Sequence, residues 1–308
     1  MKIIKWTVAV LAACYVGLVV IAYLPRESTP VTEFTGSHSR FITVNGNAVH
    51  YTKRGGGPPL VLVHGFAGST YTWRDLAPLL LDDYTVYALD LLGFGLTDKP
   101  SDGGYDMASQ AGLLLGFMRA VGLSRATLIG HSMGGVVVAF AAVKAPSMVD
   151  RLVIVEGGFY HGGAPPFLKY LVFPLKRIMG RVFYTASFRA KSLRASYHDK
   201  SMVTDELIEN YLLPGKTPNA ADAMAAMMAG DQPPTYAGVS TPITRPTLLV
   251  WSRFNTHNPV ADGQRLQKEI KNSKLVIIDG CSHYVQEEKP EKLAAAIKSF
   301  LTVTTTGK

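Results

Sequence analysis

The chain has 308 residues, 47% hydrophobic and 18% charged, with a formal net charge of +8. That size buries a substantial core, and one large α/β domain with an insertion fits better than two independent domains. The two cysteines, Cys14 and Cys281, lie far apart, and the chain has no HExxH, CxxC or Walker pattern, so no disulfide framework, metal or cofactor is implied. The positive balance suits nucleic acid or an anionic membrane surface. No nucleic-acid module is present, and the N-terminus favours the membrane.

Lys2 and Lys5 precede an uncharged run over 6–24 that ends at Pro25-Arg26-Glu27. As a helix this run is about 28 Å long, close to the hydrocarbon thickness of a bilayer. The run is long for a cleaved signal peptide, and Ile21-Ala22-Tyr23-Leu24 is a poor cleavage site. Leu11-Ala12-Ala13-Cys14 resembles a lipoprotein box, but the sequence stays apolar beyond it. The expectation is an uncleaved single-pass anchor over 1–25 in the inner membrane. The flanking lysines put its N-terminus in the cytoplasm and the body of the chain in the periplasm. Residues 26–40 then form a connector.

Residues 41–44 and 48–52 read as a hairpin around Asn45-Gly46. Further strands are expected over 60–63, 85–89, 126–129, 149–155, 247–251 and 274–279. Helices are expected over 71–81, 107–121, 136–142, 260–271 and 290–301. This alternation predicts a mostly parallel sheet covered on both faces. Residues 159–240 break the rhythm with helical segments and proline joints. They read as a helical cap inserted after the sixth strand, with 41–158 and 241–308 as the core.

Gly130-His131-Ser132-Met133-Gly134 lies between a strand and an apolar helix, the context of a nucleophile elbow. Small residues on either side let the backbone turn sharply and lift the serine hydroxyl clear. Together with His64-Gly65-Phe66, Asp90-Leu91-Leu92-Gly93-Phe94-Gly95 and Gly280-Cys281-Ser282-His283-Tyr284, this pattern resembles the α/β-hydrolases over nearly all of 41–303. The anchor and cap further resemble the inner-membrane-anchored lipases and phospholipases A of Gram-negative bacteria.

The resemblance implies Ser132 as nucleophile, His283 as base, and an oxyanion hole from the Phe66 and Met133 amides. His64 and His131 are expected to brace their turns, beside Gly65, Gly130 and Gly134. His38, His50, His161 and His198 read as surface or cap residues. The acid is open. Related chains carry Trp-Gly-x-x-Asp, whereas here Trp251-Ser252-Arg253-Phe254-Asn255 puts an amide at the acid position. Either Glu156 supplies the carboxylate, or Asn255 orients the histidine weakly, or the chain is a binder with a relic site.

Between Pro165 and Lys200 there are eight Lys or Arg and one acid, interleaved with aromatics. Such a segment suits a membrane interface or an ordinary amphipathic cap helix. Met224, Met227 and Met228 are candidates for an acyl pocket or plain core. The expected function is a serine hydrolase of fatty-acyl esters, lipase- or phospholipase A-like, with a lipid or acyl ester and the membrane as partners and a homodimer allowed. The alternatives are a C–C bond hydrolase of the same fold and a membrane-tethered lipid binder.

Overall fold

A computed structural model describes residues 2–24, 28–101, 103–161, 174–229, 233 and 235–302. The N-terminal apolar run forms helix α1 (Lys2–Tyr23). Its stretch Trp6–Tyr23 has a mean hydropathy of 2.1 and is almost wholly exposed. By length and composition it is able to cross a bilayer.

The body is an eight-stranded sheet in the order β1-β2-β4-β3-β5-β6-β7-β8. Its strands are β1 (Ser39–Val44), β2 (Asn47–Gly55), β3 (Pro59–Val63), β4 (Thr85–Leu89), β5 (Ala126–His131), β6 (Val149–Val155), β7 (Thr247–Ser252) and β8 (Ser273–Ile278). β1, β2 and β4 pair antiparallel, and all pairings from β4 through β3 to β8 are parallel. The β1–β2 turn places Asn45 at φ 50° and Gly46 at φ 81°, the left-handed pair that an Asn-Gly hairpin requires.

Side chains of the central strands alternate between two apolar layers, as period-2 geometry demands. Val61, Val63, Leu128, Ile154 and Trp251 face the layer that α2 (Met107–Ala120) and α3 (Met133–Lys144) cover. Leu60, Leu62, Ile129, Val153 and Val250 face Trp73, Leu76 and Ile297 on the opposite side. A parallel strand buried on both faces has no polar side to reveal, which is why these strands read as continuous apolar runs.

The helix expected over 71–81 does not form. Two short 3₁₀ turns, Thr70–Trp73 and Ala77–Leu80, take its place. Pro78 lacks an N–H and its ring clashes with the carbonyl four residues back, so a continuous α-helical ladder is blocked.

Between β6 and β7 lie α4 (Leu175–Phe183), α5 (Ala186–Ser196), α6 (Asp205–Leu212) and α7 (Ala220–Ala229). α5 and α6 enclose their own small core of Leu193, Tyr197, Val203, Leu207, Ile208 and Tyr211. Met224 and Met227 join the main core. The basic and aromatic residues expected at the membrane over 165–173 lie outside the described residues. After β7 come α8 (Val260–Glu269), α9 (Val285–Glu288) and α10 (Pro290–Thr302).

Candidate active site

The chain leaves β3 toward β4 on one side and returns through β5 on the other, so a crevice opens where the strand order reverses. Val63, Gly130 and Ile154 are mutual neighbours in register. The residues just beyond these strand ends therefore share one edge of the sheet: Phe66, Ser132 and Glu156.

Ser132 stands between β5 and α3 at φ 52°, a left-handed conformation costly for any residue with a side chain. The small neighbours make this turn possible. A Cβ on Gly130 would collide with the Gly134 carbonyl, and one on Gly134 with the Val63 carbonyl. Met133 N–H is the first of α3 and has no acceptor within the helix. Phe66 follows Gly65, whose Cα approaches so closely that an added Cβ would stand 3.0 Å from Ser132 Cβ. The turn after β3 and the elbow after β5 are thus in contact. A cavity of about 10 Å³, lined by Gly65, Phe66, Thr72, His131, His283 and Tyr284, holds about one water.

His64 braces the first turn. Its Nδ1–H donates to the Gly65 carbonyl (2.7 Å), and its Nε2 accepts the Leu91 N–H (3.0 Å). His131 donates from Nε2 to the His283 carbonyl (2.8 Å), which ties the elbow to the loop after β8. Burial lowers the His131 pKa to about 4, so it stays neutral. The same loop is held from the insertion, because His283 N–H donates to the Ser196 carbonyl (3.0 Å). Glu288 adds a second tie by accepting from Ser282 N–H and from the His198 and Asp199 amides.

The acid position is a chain of three groups. Asn255 Oδ1 accepts from the backbone amides of His257 (2.9 Å) and Asn258 (3.3 Å), which fixes the orientation of its amide. Its NH2 therefore points the other way. One hydrogen goes to Glu156 Oε2 (2.6 Å) and the other to His283 Nδ1 (3.0 Å). Glu156 does not reach His283 among the described residues; Asn255 stands between them. A donor facing Nδ1 makes that nitrogen an acceptor and places the ring proton on Nε2. A base for Ser132 needs the opposite tautomer.

Glu156, at φ 52° like Ser132, is fully buried. Burial raises its pKa to about 8, against hydrogen bonds from Ser252 and Asn255 that favour the anion. It is neutral at pH 7. Burial, then the neighbouring His131 and His257, holds the His283 pKa well below its ordinary value. Both groups at this junction are uncharged near neutrality.

Sequence reasoning missed several supports. Ser252, which stands where related chains have glycine, donates its N–H to Glu156 Oε1, and Asn258 Nδ2 donates to the Glu156 carbonyl (2.7 Å). Glu287 also escaped notice; the two acids after His283 were the available signal. It is buried, and it accepts from Thr72 Oγ1 (2.7 Å), Tyr197 and Tyr211 and pairs with Arg74 (2.6 Å). His50 is a correction. It is buried rather than superficial, with Nδ1 2.7 Å from Asp90 Oδ2 and Nε2 3.0 Å from Ser39 Oγ. The reason is its place on β2, beside antiparallel β4, which ends at Leu89 just before Asp90. His38, His161 and His198 are exposed, and His161 pairs with Asp262 (3.1 Å).

Residues 58–290 match the family model described as the alpha/beta hydrolase fold. The chain is 30% identical over 268 residues to the uncharacterized hydrolase YugF of Bacillus subtilis (strain 168), covering 85% of this chain and 97% of that one. A meta-cleavage product hydrolase from Pseudomonas fluorescens IP01 superposes with a TM-score of 0.73 at 23% identity, over 85% of this chain and 97% of its own. The structure of a membrane phospholipase A superposes with a TM-score of 0.70 at 23% identity, over the whole of both chains. At that identity the two structures speak for the fold. With the family model covering most of the chain and the elbow formed at the strand-order switch, this protein is a member of the alpha/beta hydrolase family and a hydrolase by family.

Proposed function

We propose that the protein is a membrane-tethered serine hydrolase of fatty-acyl carboxylic esters, with glycerolipids ahead of small soluble esters. One observation carries this reading: the strained Ser132 at the N-terminus of α3, with the Gly65-Phe66 turn packed against it. Ser132 Oγ attacks the acyl carbonyl, and the Phe66 and Met133 N–H groups stabilise the oxyanion. Each such donor is worth on the order of 3 kcal/mol in the transition state. For turnover His283 must give up the Asn255 contact and carry its proton on Nδ1; Nε2 then takes the serine proton and returns it to the leaving alcohol. Water then cleaves the acyl-enzyme by the same route reversed.

Support for the lipid substrate comes from α1 and the insertion. Arg177 donates from Nε to the Ala22 carbonyl (2.9 Å), and its guanidinium lies 4.4 Å from the Tyr23 ring. Arg181 donates to the carbonyls of Ile21 (2.6 Å) and Leu24 (2.5 Å). Two cations thus cap the last carbonyls of the apolar helix, where the macrodipole is negative. In this reading α4 sits at the end of the expected anchor, at headgroup level on the periplasmic side of an inner membrane. The likeness to a membrane phospholipase A over the full chain, apolar helix included, supports the same placement.

The Asn255 contact favours a second reading, a tethered acyl-lipid binder, because it holds His283 in the tautomer unable to accept the serine proton. A fluorophosphonate probe separates the two. Labelling of the folded protein that disappears in Ser132→Ala is the expected result. A full-length, folded protein that takes up no probe at Ser132 eliminates the hydrolase reading.

A further inference from the structure

Arg189 lies on α5 and is 3% exposed. Its guanidinium carbon sits 4.8 Å from the centre of the Phe183 ring and 5.9 Å from that of Tyr211. Nε and Nη2 are buried without any hydrogen-bond partner. No carboxylate pairs with this cation among the described residues. Arginine cannot shed its proton, so the charge stays. An unpaired buried cation costs several kcal/mol, and aromatic faces offset only part of that. Ring faces also leave the in-plane N–H groups unsatisfied.

The two orphaned donors belong together. Nε–H and Nη2–H form one edge of the guanidinium plane, the fork that grips a carboxylate or phosphate by two parallel hydrogen bonds. The guanidinium also neighbours, through one ring, a residue that lines the small cavity of the candidate site. Phe183, on which Arg189 stacks, meets the Phe66 ring at 5.6 Å. The positive charge of Arg189 is felt at Tyr284, the residue after His283. The other buried ionisable groups described around the site have hydrogen-bond partners: Glu156 has Asn255 and Ser252, Glu287 has Arg74, and Glu288 has three backbone amides.

We infer that Arg189 is the receptor for an anionic group on the substrate, so that the site takes esters carrying a phosphate or carboxylate beside the scissile acyl group. The inference rests on the hydrolase reading for its substrate, but not for its binding test. A phospholipid supplies a phosphate at this place, and a soluble hemiester supplies a carboxylate. The shared requirement is a planar or tetrahedral oxyanion able to accept two N–H donors.

The test uses the full chain in neutral detergent with Ser132→Ala, to prevent turnover. Octyl phosphate, octanoate and octanol are titrated by calorimetry. Two charge-assisted hydrogen bonds predict an anion preference over octanol of roughly 10- to 100-fold. Arg189→Met is expected to abolish that preference and Arg189→Lys to keep part of it. Tighter binding of octyl phosphate than octanoate assigns the site to a phosphate headgroup, and the reverse order assigns it to a carboxylate. Equal affinity for all three probes overturns the inference, as does a preference that survives in Arg189→Met. Melting curves confirm that each variant folds. Should Arg189→Met fail to fold, loss of the preference in Arg189→Gln decides in its place. These readouts are independent of turnover, so a chain that binds anions through Arg189 yet takes up no fluorophosphonate refutes the hydrolase reading alone.

Discussion

At the scale of single residues, the site is decided by which end of one amide faces one histidine. Asn255 spends its oxygen on two backbone amides, so only its NH2 is left for His283. In a serine protease the corresponding loss of the acid lowers turnover about 10⁴-fold. Asn255→Asp reverses the polarity of the contact, because a carboxylate oxygen accepts the Nδ1–H and frees Nε2 as base. Ester kcat/KM should rise on the order of 10²- to 10⁴-fold, measured by initial rates on a p-nitrophenyl ester. No gain would show that another group limits the chemistry. Glu156, neutral up to about pH 8, does not repel the new carboxylate below that pH. The gain should persist through pH 8, because losing the Asn255 donor and gaining a neighbouring carboxylate both raise the Glu156 pKa further. Asn255 was legible as a departure from the family pattern, and Glu156 as a nearby acid. Their order in space was not legible, because an amide's orientation is set by backbone donors two and three residues further on.

At the scale of elements, the loop carrying His283 is held between the sheet and the helical insertion. Glu287 on α9 is the junction. It accepts from Thr72 on the first 3₁₀ turn, pairs with Arg74, and takes the hydroxyls of Tyr197 and Tyr211 from the insertion. Replacing it by glutamine leaves Arg74 with only the half-exposed Asp75 as its carboxylate (3.1 Å) and turns one acceptor into a donor facing hydroxyls. Glu287→Gln should destabilise the chain by about 2–4 kcal/mol. A urea midpoint within error of the parent would show that the network is dispensable. The cavity between the Gly65-Phe66 turn and His283 has room for about one water, so an acyl chain enters there only if the surrounding loops move. The elbow's strand-turn-helix pattern was plain in the sequence, since close packing leaves glycine as the choice at 130 and 134. The Glu287 network was not, because its partners lie between 76 and 215 residues away in the chain.

At the scale of the whole molecule, buried titratable groups set a pH optimum for stability. His64, His131 and His283 all have lowered pKa values in the fold, with burial as the main cause. Below about pH 6.5 the unfolded chain binds protons that the folded chain refuses, so stability falls as pH drops. Glu156 acts in the opposite sense. Its folded pKa of about 8 lies above its unfolded value, so the folded chain holds an extra proton from about pH 4.5 to 8 and stability declines as pH rises through that window. Three histidines outweigh one glutamate on the acid side, Glu156 dominates between about pH 6.5 and 8, and buried Lys99, lowered to about 8, opposes it only from there upward. Thermal midpoints should therefore peak near pH 6.5, and Glu156→Gln should flatten the decline between pH 7 and 8. A midpoint that keeps rising to pH 8 contradicts this balance. The second whole-molecule expectation concerns α1: deleting residues 2–24 should move the protein from the membrane pellet to the soluble fraction. Retention in the pellet would place the membrane contact elsewhere.

The sequence by itself determined the sheet, the strand-turn-helix elbow, the place of His283 in the loop after β8 and the apolar helix at the N-terminus. These are local matters of hydrophobic period, glycine at close approaches and uncharged length, and each is written within about twenty neighbouring residues. The break of the helix at Pro78 is equally local, because the missing N–H and the ring clash belong to that one residue. Only the tertiary structure decided that Asn255 separates Glu156 from His283, that His50 is buried against Asp90, and that Arg189 keeps two donors without a partner. Each of these depends on which distant groups face one another across the fold, and on how much water the packing leaves between them.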